Sequence, residues 1–151
     1  MNTTFSYPKW EEIPSINLYL DQVLLYVNQI CPPVSPDKEK VLTASMVNNY
    51  VKHGYLTKPD KKKYQRQQIA RLIAITTLKS VFSIQEIAQT LNTLQSQASS
   101  DQLYDAFVDY MNHGIDPENP IIQTSCQTVK LYHQTLALVY TETEKEETNE
   151  Y

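Results

Sequence analysis

Three features of the 151-residue chain predict an all-α fold. Apolar residues recur at spacings of three and four in six separate segments, the period of helices buried along one face. Strand-period alternation is confined to one short stretch near residues 62–65, which can form a wing. Gly54 and Gly114, the two glycines, each follow a helical pattern directly, where the left-handed residue after a helix belongs.

The elements follow in order. Residues 1–15 form a leader in which Trp10 and Ile13 anchor on the core ahead of the break at Pro14. Residues 16–30 carry Leu20, Val23, Leu24, Val27 and Ile30 at helical spacing, and the Cys31-Pro32-Pro33 run ends that helix. A proline-rich loop spans 31–41. Thr43 caps a short helix from 44 to about 53, with Met46, Val47 and Tyr50 inward and Ser45, Asn48, Asn49 and Lys52 outward. A basic connector covers 55–64. The clearest helix spans 67–81, with Ile69, Leu72, Ile73, Thr76 and Leu78 as its apolar stripe. The Ser83-Ile84-Gln85-Glu86 capping box opens the next, with Ile87, Ala88 and Leu91. A Gln/Ser linker spans 95–100. The segment 101–113 is helical with Leu103, Phe107, Tyr110 and Met111 inward. A last helix spans 121–141 with Ile122, Cys126, Val129, Leu136 and Val139, ahead of an acidic, frayed tail. The expected organisation is an N-terminal helix and helix-turn-helix region over 1–94, a helical extension packed on it over 101–141, and the tail over 142–151.

Charge is unevenly distributed. The net charge is −4, yet residues 52–79 hold eight of the thirteen basic residues against Asp60 alone. The chain after residue 79 is strongly acidic. A basic block inside an acidic protein is the footprint of a polyanion-binding surface.

Other chemistries find little support. Two distant glycines cannot form a phosphate-cradling Gly-rich loop. His53, His113 and His133 form no His-x-x-x-His pair, and His53 and His113 suit helix C-termini. Asp101, Asp105 and Asp109 make an acidic stripe, read as a solvated or partner-facing surface rather than a magnesium site. Ser83 is a cap, not a nucleophile. Cys31 and Cys126 read as buried, reduced thiols. No apolar run reaches membrane-spanning length, and residues 1–10 are polar, so a cytoplasmic protein is expected. No cofactor, no metal and no enzymatic activity are expected.

Residues 43–91 read as a short polar-faced helix, a basic connector, a long helix and a capped helix. The residues Asn48-Asn49-Tyr50, Gly54-Tyr55-Leu56, Pro59, Lys63-Tyr64-Gln65-Arg66, Ile69, Leu72 and Ser83-Ile84-Gln85-Glu86-Ile87 resemble the MerR-type winged helix-turn-helix. Trp10, Ile13-Pro14, residues 18–22, residues 42–52, Lys61-Lys62-Lys63-Tyr64 and Leu78-Lys79 are similar to a bacterial domain-of-unknown-function family, numbered 1836. That family is itself similar to MerR-like DNA-binding domains. The resemblance implies a MerR-like winged helix-turn-helix acting as a DNA-binding regulator, to which the residues after 101 add a C-terminal helical pair. The arginine before the aromatic pair and the arginine after the wing tyrosine are both absent. Lys52, Lys61, Lys62 and Lys63 supply charge nearby. The long dimerising C-terminal helix of MerR proteins is replaced by two helices.

The expected mechanism is non-covalent. Ser45, Asn48 and Asn49 are the candidate base readers, asparagine matching the N6 and N7 atoms of adenine. Thr43, Lys52, Lys58, Lys61, Lys62, Lys63, Tyr64, Arg66 and Arg71 are the candidate phosphate contacts. The partners are double-stranded DNA and a second copy of the chain as a homodimer, with any effector unidentified. The alternative is a protein–protein adaptor with a basic face and an acidic face.

Overall fold

The computed structural model describes residues 4–33 and 41–149. The chain is mostly helical: a 3₁₀ turn at Trp10–Glu12, then β1 (Leu18–Tyr19), α1 (Leu20–Ile30), α2 (Ala44–Lys52), β2 (Lys63–Tyr64), α3 (Arg66–Leu78), α4 (Ile84–Gln95), α5 (Ser100–His113) and α6 (Pro120–Asn149). The loop expected over 31–41 lies mostly outside the described residues.

Helix α3 is the centre. Ile69, Leu72, Ile73, Thr76 and Leu78 are all buried, and Gln68, Ala70, Ile75 and Thr77 join them. A helix buried on nearly every side must be surrounded, and α3 packs against α1, α4, α5 and α6. One continuous core runs from Phe5 to Val129.

The helix ends obey local chemistry. Thr43 Oγ1 accepts the Met46 N–H at 3.2 Å. Ser83 Oγ accepts the Glu86 N–H at 3.2 Å, and Glu86 accepts the Ser83 N–H at 2.9 Å. Gly54 and Gly114 adopt φ of +78° and +68° after α2 and α5, a region closed to most L-residues.

Four expectations are corrected. The first helix begins at Leu20 rather than residue 16, because Leu18 and Tyr19 are extended and pair antiparallel with Tyr64 and Lys63. The all-α description therefore gains a small two-stranded sheet. The tail does not fray at 141: α6 runs to Asn149. No proline or glycine follows Pro120 to stop it, and Lys145 pairs with Glu142 at 3.6 Å. Residues 150–151 lie outside the description. The inward faces are also rotated. Tyr104 and Val108 are buried beside Phe107 and Met111, whereas Leu103 and Tyr110 are half-buried, Leu136 is half-buried and Val139 is exposed. Finally, the acidic stripe holds the leader. Asp105 accepts the Trp10 N–H at 2.8 Å, and Asp109 pairs with Lys9 at 3.0 Å.

The leader is stitched to α5 more widely than Trp10 and Ile13 suggest. Phe5 and Tyr7 are buried and stacked. The Asn112 side chain accepts the Tyr7 N–H at 2.8 Å and donates to the Tyr7 carbonyl at 2.9 Å. Tyr104 donates to the Pro8 carbonyl at 2.7 Å.

Both cysteines are free and buried, and burial pushes each thiol up to about 12. His133 is also buried, edge-on to Phe5, and burial lowers its pKa. Tyr7, Cys31 and Lys79 line the cavity beside it, and no carboxylate among the described residues does. An imidazole held neutral in the fold protonates first in the unfolded chain, so stability falls as pH drops through about 6.5. The melting temperature is expected to decline between pH 7.5 and 5.5, and His133→Gln to flatten that decline. An unchanged slope in the variant overturns this assignment.

Candidate nucleic-acid interface

Helix α2 has two faces. Val47 and Tyr50 are buried, while Ser45, Asn48, Asn49 and Lys52 are exposed. The exposed four sit at i, i+3, i+4 and i+7, a single stripe along one side. All three candidate base readers therefore stand together with one lysine.

The connector leaves α2 through Gly54 and ends in a tight hairpin. Asp60 N–H donates to the Lys63 carbonyl at 3.1 Å, and Lys63 N–H donates back at 2.9 Å. Between them Lys61 and Lys62 have φ of +50° and +66°. A two-residue loop with positive φ at both positions is a type I′ geometry, which normally takes Asn-Gly. Two lysines here are backbone-strained. Both side chains are exposed at the tip.

The other expected phosphate contacts divide. Lys52 and Lys58 are exposed. Thr43 is exposed, but its hydroxyl caps α2. Lys63 is half-buried with its ammonium 5.0 Å from the Tyr19 ring centre. Arg66 donates from Nε to the Ile13 carbonyl at 3.1 Å, tying the leader to α3. Two candidates are committed to the fold instead. Tyr64 is only 3% exposed, since its strand pairing turns the ring into the core. Arg71 donates to the Tyr55 carbonyl at 2.7 Å and to Asn92 Oδ1 at 3.3 Å, and burial lowers its pKa.

Two positioning residues escape the sequence reading. Asn28 on α1 accepts the Val41 and Leu42 N–H groups at 3.0 and 2.9 Å and donates to the Leu42 carbonyl at 2.9 Å. It thereby fixes the entry to α2. Gln68 donates to the Thr57 and Lys58 carbonyls at 2.9 and 3.3 Å and bolsters the connector from behind. The available signal was a polar side chain beside core positions, next to Val27 and Ile69 respectively.

Among the described residues, no three His, Cys, Asp or Glu side chains gather as a metal-binding group. No described helix is long and apolar enough to cross a membrane. Neither a curated protein nor a solved structure matches the chain. A family described as Domain of unknown function (DUF1836) does match, over residues 8–107, a span that stops within α5 and leaves α6 outside. The chain belongs to that family.

Proposed function

We propose that the chain is a DNA-binding transcriptional regulator of MerR-like winged helix-turn-helix type. In this reading α2 enters the major groove, which is about 12 Å wide. Ser45, Asn48 and Asn49 meet base edges, and Lys52, Lys58, Lys61 and Lys62 meet phosphates. The hairpin is the wing. The observation that carries the reading is its tip: the turn favours Asn-Gly, yet two lysines stand there at positive φ. Backbone strain clusters at functional sites, so strain retained at an exposed, charged turn supports this reading.

The adaptor alternative draws less support. Of its supposed acidic face, Asp105 and Asp109 are occupied by the leader.

Fluorescence anisotropy with a labelled random duplex, at low and near-physiological salt, tests the proposal. Binding that weakens steeply with salt is the expected result. No binding at low salt overturns it. Asn49→Ala is expected to relax preference at one base position while leaving the salt slope intact.

A second copy of the chain is the expected partner, through α6. This helix is about 45 Å long, and no described residue after His133 is buried. It is the last helix expected over 121–141, extended to Asn149. Leu131, Leu138 and Val139 are 53%, 61% and 53% exposed. Antiparallel pairing centred on Thr135 sets Leu131 against Val139 and Tyr132 against Leu138. It also sets Glu142 against Thr128, whereas parallel pairing would align the acidic ends. Leu138→Glu is expected to give the 17.5 kDa monomer by light scattering where the parent gives a dimer. A monomeric parent overturns the pairing.

A further inference from the structure

We infer that the cavity beside α2 binds a small organic carboxylate with an apolar body. It has a volume of about 210 Å³ and lies where the leader, the end of α1, α2, α3 and α6 meet, with Tyr7, Met46, Thr76, Lys79 and His133 in its walls. That volume equals about seven waters' share of liquid, enough for a molecule of benzoate size.

Three observations fix the chemistry. First, Thr76 is 4% exposed, lines the cavity, and its hydroxyl has no hydrogen-bond partner among the described residues. This is unlike Thr77 beside it and Thr90 and Thr93 on α4, each of which donates to the carbonyl four residues back. A buried hydroxyl left unpaired is costly unless something occupies it. Second, Lys79, itself exposed, is the one fully charged side chain among the described residues that line the cavity, which favours a ligand with a single negative charge. Its ammonium stands 5.6 Å from the ring centre of Tyr50 on α2. Third, Val41, Met46 and Pro32 supply apolar wall for the ligand's body. Because Met46 lies on α2, occupancy reaches the helix that carries Asn48 and Asn49.

The ligand site is tested without DNA, so it stands or falls separately from the DNA reading. Benzoate is the probe, benzyl alcohol its neutral analogue and acetate its truncated one. Calorimetry on the full chain is expected to show saturable benzoate binding, at least tenfold tighter than either analogue. The Met46 ε-methyl resonance shifts with occupancy. Lys79→Ala weakens benzoate at least tenfold. Thr76→Val weakens it as well, yet melts about 2–4 °C higher than the parent, because the unpaired hydroxyl is gone. Benzyl alcohol binding as tightly as benzoate overturns the carboxylate. Absence of saturable binding, a Met46 methyl that does not move, or full affinity in both variants overturns the site.

Discussion

A chain carrying Lys61→Asn and Lys62→Gly is expected to melt higher than its parent and to bind duplex DNA more weakly. The stability gain follows from the backbone. Lys61 and Lys62 hold φ of +50° and +66°, and left-handed conformation costs an ordinary L-residue about 1–2 kcal/mol. Asn-Gly adopts the same turn with little strain. Part of the gain is offset by the extra freedom of glycine in the unfolded chain. A net gain of about 1–2 kcal/mol raises the melting temperature by roughly 2–8 °C for a chain of this size. The affinity loss follows from charge. Each phosphate contact removed flattens the plot of log affinity against log salt by about 0.9, so two lysines remove close to 1.8. Lys61→Gln with Lys62→Gln separates the two effects, since it discharges the tip and keeps the strain. That variant is expected to lose affinity without the rise in melting temperature. Unchanged affinity in both double variants sinks the wing.

The second large effect is at Asn28. Its side chain makes three hydrogen bonds to the backbone of Val41 and Leu42. Removing them strands two N–H groups and a carbonyl, at about 1 kcal/mol each. Asn28→Ala is therefore expected to cost about 3 kcal/mol, or roughly 6–12 °C in melting temperature. Asn28→Asp keeps both acceptor contacts and loses one donor, so its loss is smaller. Duplex affinity falls in the same order, because α2 starts only two residues after Leu42. Equal melting temperatures for the parent and Asn28→Ala contradict the clamp.

What was legible in the sequence was what local chemistry dictates. Thr43 and Ser83 announce helix starts, and Gly54 and Gly114 announce ends, because each cap is satisfied within a few residues. The stripe Ser45, Asn48, Asn49 and Lys52 was readable for the same reason. What was missed depends on partners far along the chain. Leu18 and Tyr19 fit a helical period until Tyr64 and Lys63 claim them as a strand. The aspartates of α5 look solvated until the leader folds over them. Arg71 and Tyr64 look like phosphate contacts because charge and residue type do not say which basic or phenolic group the core will consume.

The stitching of the leader to α5 bears on how the chain is made. Tyr7, Pro8, Lys9 and Trp10 bond to residues 95 to 105 positions later. Synthesis runs at about 5–20 residues per second, so roughly 5–20 s separate the birth of the leader from that of its partners. Contacts of such sequence separation close slowly. Tyr7 thus leaves the ribosome well before Asn112, the α5 residue that clasps its backbone. The N-terminal segment acts as a closing strap, fastened only after α5 exists.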